Sequence, residues 1–178
     1  MISKNPLSDI ISLATRVTKW THECDWALHR LICYISCTSE YTLRGFIGDN
    51  SGAWRLRLFA DADFAGERPG FKSTSGSFLV VAGPHTNFPI SATCAKQTAV
   101  AHSTPEAEIV SAEAALRLCG FPALDLFEAS LQREVLLELM EDNQSTIQII
   151  KTGRNPTMRH MTRTHGVNVS WLHDCCNA

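Results

Sequence analysis

The chain has 178 residues, 44% of them hydrophobic, with 16 Lys and Arg against 18 Asp and Glu and a formal net charge of -2. That is enough apolar material for one sizeable core, no apolar run approaches the ~18 residues needed to span a membrane, and the charge balance gives no global attraction to nucleic acid. The amino terminus lacks a secretory pattern and the seven cysteines have no regular spacing, so the expected setting is intracellular and reducing, in cytoplasm or nucleus.

In chain order, Ile10, Leu13, Ala14 and Val17 recur at helical spacing, and Leu28, Leu31, Ile32 and Ile35 repeat the pattern. Residues 1–48 therefore read as a helical segment, with Asp49-Asn50-Ser51 inside a linker over residues 45–52, and residues 49–178 as a second domain. Residues 54–61 alternate with strand period, Trp54, Leu56, Leu58 and Ala60 on one face, Arg55, Arg57, Phe59 and Asp61 on the other. Residues 78–82 and 88–93 flank Gly83-Pro84-His85-Thr86-Asn87 and predict an antiparallel hairpin.

Ser103-Thr104-Pro105-Glu106 reads as a helix start, with Ser103 or Thr104 as cap and Glu106 closing a capping box. Glu108 lies beyond the box on a face shared with Ala112 and Ala115, and Gly120 with Pro122 predicts the helix end. A short helix is expected over residues 123–131. Residues 134–140 are nearly all apolar, as in a central strand covered on both faces, and the run ends at Asp142 before a helix through Ile147, Ile149 and Ile150.

Three carboxylates from three elements, Asp61, Glu108 and Asp142, form an oxygen-only set suited to divalent metal ions and phosphodiester hydrolysis. Asp63 reads as a loop former and Glu106 as a capping residue. Hybrid or other nucleic-acid binding would fall to local cations, Arg68, Lys72, Lys96, Arg159 and Arg163, while Ser73, Thr74, Ser75 and Asn143 read either as loop-stabilising or as phosphate-contacting groups. His160 and His165 with Cys175 and Cys176 lack a Cys-x-x-Cys knuckle, so no zinc site is expected. His102 reads as an exposed loop histidine. Cys94 and Cys119 are expected in the core, and Trp20, Trp26 and Trp171 are expected to pack.

The ordered set Phe59-Ala60-Asp61-Ala62-Asp63-Phe64-Ala65-Gly66, Lys72-Ser73-Thr74-Ser75-Gly76, Lys96-Gln97, Ser103-Thr104-Pro105-Glu106-Ala107-Glu108 and Asp142-Asn143-Gln144-Ser145 resembles the ribonuclease H region of copia-type retrotransposon Pol polyproteins. The stretch around Trp26, Ala27, Arg30 and Tyr34 is similar to the segment that joins the reverse transcriptase to the ribonuclease H there. The resemblance implies a ribonuclease H-like α/β fold, a mixed sheet flanked by helices. It further implies two magnesium ions, with manganese as the second candidate, held by Asp61, Glu108 and Asp142. Asp61 would bridge both ions, Glu108 would hold the ion on the leaving-group side, and Asp142 would help place the ion that activates water. The implied substrate is the RNA strand of an RNA-DNA hybrid, and the implied partner is the rest of a reverse transcriptase polyprotein.

Family members continue beyond the helix that corresponds to residues 159–173 into a last strand and a terminal helix carrying a fourth aspartate. The expectation is therefore a C-terminally truncated domain without that strand, helix or carboxylate, and Asp174 is not expected to substitute. Two functional readings follow: a metal-dependent ribonuclease H, and a catalytically impaired remnant that keeps a nucleic-acid-binding fold without turnover.

Overall fold

Alternation along β1 (Arg55–Asp63) organises the architecture, because Leu56, Leu58, Ala60 and Ala62 are buried on one face while Phe59, Asp61 and Asp63 are exposed on the other. The computed structural model describes residues 17–66 and 70–177; the expected helix through Ile10, Leu13 and Ala14, and Arg68, lie outside them. The chain divides into two compact units, Met1–Leu43 and Arg44–Ala178.

In the second unit β1 pairs antiparallel with β2 (Thr74–Ala82) over its whole length, from Arg55 opposite Ala82 to Asp63 opposite Thr74. β2 pairs in turn with β3 (Asn87–Lys96), with a register irregularity at Leu79/Val80. On its other side β1 pairs parallel with β4 (Leu137–Met140), Leu56 facing Leu137 and Phe59 facing Met140. The order is β3-β2-β1-β4, a four-stranded mixed sheet. The run at 134–140 therefore does not form a central strand: only four residues pair, at the edge among the described residues, and Leu136 is 61% exposed. Its apolar composition serves one face, through Val135, Leu137 and Leu139, while Glu138 on the other face binds Arg55 and Arg57 at 3.0 Å each.

The expected hairpin forms with longer strands than its apolar residues suggested. Residues 45–52 are no loose linker, because they are tied to the hairpin's turn. Phe46 and Asn87 exchange backbone hydrogen bonds of 2.9 Å, the N–H groups of Gly48 and Asp49 donate to Thr86 Oγ1, and the N–H of His85 donates to Asp49 Oδ2 at 2.7 Å.

α2 (Thr104–Ala115) packs across β1 and β2. Half of its buried positions are small, Ala107, Ser111, Ala112 and Ala115, which lets its axis come close to the sheet. Ser111 Oγ donates to the carbonyl of Asp61 at 2.7 Å, with the Gly76 carbonyl at 3.3 Å, fastening the helix to both strands. Gly120 and Pro122 do not end the helical path. A π-helical turn, Leu116–Gly120, leads directly into α3 (Phe121–Leu131), and Pro122, which has no N–H to give, sits immediately after this irregular turn. The glycine is needed for contact, since a Cβ there would meet Leu58 and Leu137 side chains at 3.0 and 3.2 Å.

α4 (Gln144–Thr152) buries Thr146, Ile149 and Ile150 and ends at Gly153 in the left-handed region. The segment 159–173 is not one helix. A 3-10 turn (Pro156–Met158), α5 (Met161–Thr164) and α6 (Val169–Asn177) replace it, broken at Gly166 with φ of 70°. These short pieces deliver Met158, Met161, Val167 and Leu172 to the same core as Leu56, Leu58, Leu79 and Ile109. Trp171 packs edge-on against Phe121, but Cys94 is exposed on β3 and Cys119 is only half-buried.

The first unit contributes α1 (His22–Thr38), which has no buried residue. Trp20 and Trp26 are exposed, their indole N–H groups donating to Asp25 and His22. No described helix is long and apolar enough to cross a membrane.

The end of the chain is thus part of the core, since Leu172 is fully buried. Leu172→Ala is expected to lower unfolding free energy by about 2–5 kcal/mol, the same range as Leu58→Ala. Urea denaturation followed by tryptophan fluorescence checks this, and a loss under about 0.5 kcal/mol would place α6 outside the cooperative unit.

Candidate functional site

β1 and β4 run parallel, so their carboxyl ends lie together. Phe59 faces Met140; β1 runs on to Asp61 and beyond, while Asp142 follows two residues after Met140, just past the end of β4. Both are exposed. Glu108 reaches this end of the sheet from α2, one turn before Ser111, whose hydroxyl is bonded to the Asp61 carbonyl.

Glu108 is 4% exposed, the N–H of Ala62 lies beside its carboxyl group, and its Oε2 is buried without a hydrogen-bond partner. Burial, then the negative charges of Glu141, Asp61 and Asp142, raise its pKa from 4.5 to about 7. The charges of all three acidic neighbours are thus felt at one buried carboxyl. Glu141 joins them unforeseen. Its Oε1 accepts the N–H of Asn143 at 3.0 Å while Oε2 is buried without a partner, and burial together with the charges of Asp142 and Asp61 pushes its carboxyl up. Period-two alternation from Leu137 and Leu139 was the signal that could have found it, because it sets Glu141 on the core side of the strand, opposite to Glu138.

A second group of ionisable side chains gathers at the other side of the start of α2. Ser103 Oγ accepts the N–H of Glu106, as the capping box requires, but the Glu106 carboxylate returns to the N–H of His102 at 3.1 Å. Its other oxygen, Oε1, is 3.1 Å from His160 Nε2 and 2.8 Å from His165 Nε2. Burial raises the Glu106 carboxyl, but the bonds from His160, the His102 N–H and His165 outweigh it and hold the group below its usual range. Ligand atoms of His102, Glu106 and His160 all lie within 4.8 Å of one another, so this His/Glu/His group could hold a metal ion. Among the described residues it is the group of three that meets that distance; the Asp61, Glu108 and Asp142 carboxylates are electrostatically coupled without drawing that close. No zinc site is expected from His160 and His165 with Cys175 and Cys176; the fold instead brings His160 beside Glu106 and His102, a group in which no cysteine takes part.

The residues read as nucleic-acid contacts have mixed settings. Ser73 is fully buried and its Oγ accepts the N–H of Ala65, a loop-stabilising role. Asn143 caps α4, accepting the N–H of Thr146 at 3.1 Å. Lys72 is half-buried, and Lys96, at the end of β3, is exposed. Asp174 is exposed on α6.

Comparison with protein-family models, with curated proteins and with solved structures returned no match.

Because Glu108 holds its proton more tightly in the folded chain, its contribution to stability is complete below pH 4.5 and is lost as pH rises to about 7. Glu108→Gln should remove this dependence and leave the variant more stable than wild type at pH 8, in urea titrations run from pH 4.5 to 8. Parallel pH profiles in the two proteins would show that the carboxyl is not strained in the way described.

Proposed function

We propose that the second unit is a ribonuclease H-like domain that hydrolyses the RNA strand of RNA-DNA hybrids with divalent metal. The observation that carries this reading is the buried Glu108, its Oε2 without a partner, at the shared carboxyl end of β1 and β4 beside Asp61, Asp142 and Glu141. Burying such a carboxyl among like charges is costly in the free chain, and a cation is the partner that would relieve it. The motif order read from the sequence and a mixed sheet of this order support the same reading.

The donor set fits magnesium or manganese, hard cations that prefer carboxylate oxygen. Asp61, Glu108 and Asp142 would hold the metal, and Glu141 would supply an additional carboxylate beside them. Metal bound there would lower the pKa of water and neutralise charge developing on the phosphate. The chain's own contribution is positional. Ser111 fixes the Asp61 peptide, the Ala62 N–H orients Glu108, and the Asn143 N–H orients Glu141. Exposed Asp61 and Asp142 leave the site open to a large substrate, and Lys72, two residues before β2, and Lys96, at the end of β3, would serve as phosphate contacts.

The test is cleavage of an RNA-DNA hybrid by the full chain in magnesium and in manganese. Cutting should fall to background in Asp61→Asn and Asp142→Asn and by about 10–100-fold in Glu141→Gln. Magnesium should raise the melting temperature of wild type but not of Asp61→Asn. Equal melting shifts in the two proteins, with no cutting in either metal, would reject the metal site. A magnesium shift specific to wild type without cutting would instead favour the remnant reading, a retained metal-binding fold without turnover.

A further inference from the structure

The polar cluster around Glu106 has a composition that a capping box does not require. One buried carboxylate, 2% exposed, faces two imidazoles through the same oxygen, and a third imidazole lies alongside. The cluster spans two distant parts of the chain, since His160 is 54 positions beyond Glu106. Its members also differ in access. His165 is nearly sealed, with 1% side-chain exposure, whereas His160 is 38% exposed and His102 lies at the surface.

We propose that His102, Glu106 and His160 form a binding site for a zinc-type transition metal, separate from the carboxylate cluster, with His165 orienting Glu106 by its hydrogen bond. Three features support it. Tetrahedral zinc with bonds of about 2.0–2.2 Å places neighbouring nitrogen and oxygen ligands about 3.3 Å apart, and His160 Nε2 already stands 3.1 Å from Glu106 Oε1. The His102 and His160 rings meet edge to face, centroids 5.7 Å apart, so both can turn nitrogen towards a common point beside the carboxylate. Finally, the ligating carboxylate has its own supporting shell: the His165 Nε2 contact at 2.8 Å and the His102 N–H fix its orientation before metal arrives.

Two imidazoles and one carboxylate favour zinc, cobalt or nickel over magnesium, which selects oxygen donors. With three protein ligands the fourth position faces solvent past His102 and His160, leaving room for water. Binding would staple the segment preceding α5 to the start of α2, two residues from Glu108. The proposal does not depend on the ribonuclease H reading.

The experiment is calorimetric titration of the full chain with zinc in excess magnesium, followed by visible spectra of the cobalt form. One equivalent should bind with affinity reduced at least tenfold in His102→Gln and in His160→Gln, and unchanged in Asp61→Asn. His102 is exposed, and the bond it gives Glu106 comes from its backbone, so His102→Gln keeps the fold and remains informative if His160→Gln does not. Cobalt should give a tetrahedral spectrum without thiolate charge transfer. Equal zinc affinity in wild type and His102→Gln would overturn the proposal, as would thiolate bands or loss of binding in Asp61→Asn, which would assign the metal to cysteine or to the carboxylate cluster.

Discussion

The pairing of β1 with a parallel neighbour on one side and an antiparallel neighbour on the other is the constraint on which the rest of this unit depends. An antiparallel hairpin alone would leave Asp61 at the end of a strand with only the β2 backbone beside it. The parallel partner brings the end of a second strand to the same level, and with it Asp142 and Glu141. β1 can hold this position because its inward side is sealed: Leu56 and Leu58 are fully buried beneath α2 and the turn at Gly120. The two arginines on its outward side share Glu138, an ion pair across the β1-β4 boundary that helps fix its register.

α2 places two glutamates in opposite electrostatic situations within two residues. Glu106 is buried among hydrogen-bond donors and is held ionised; Glu108 is buried among acids and is driven towards protonation. Helical rotation separates them by about 200°, so one faces the C-terminal segment and the other the strand ends. Small residues at Ala107, Ser111 and Ala112 make both placements possible, since a bulkier face would hold the helix away from the sheet.

Much of this was legible from local pattern. The alternation at 54–61, the capping signal at Ser103 and the helix after Asp142 each correspond to an observed element, with strand ends extended by ladder pairing that propensity does not register. Errors arose where tertiary contact overrides composition. Gly120 and Pro122 look like a stop signal, but Gly120 permits close approach to Leu58 and Pro122 follows a π turn through which the helical path continues. The apolar run ending at Met140 has the composition of a central strand, yet it pairs on one side only, with β1, among the described residues. For the site, the three carboxylates stood out through their motifs, whereas the association of His102, Glu106, His160 and His165 has no sequence signature, being produced by a broken helix folding back on α2.

The strand pair that completes the acidic cluster joins residues far apart in the chain: Arg57 and Glu138 are separated by 81 positions. The β1-β2-β3 meander, by contrast, needs only neighbours. During synthesis from the amino terminus, Asp61 and Glu108 are both incorporated before Glu141, Asp142, His160 and His165. A nascent chain that has reached only α3 therefore carries one half of each cluster, with neither the β4 acids nor the two C-terminal imidazoles. Closing the long loop costs only slightly more entropy than closing one half its length, so what orders assembly here is the arrival of the second half of the chain.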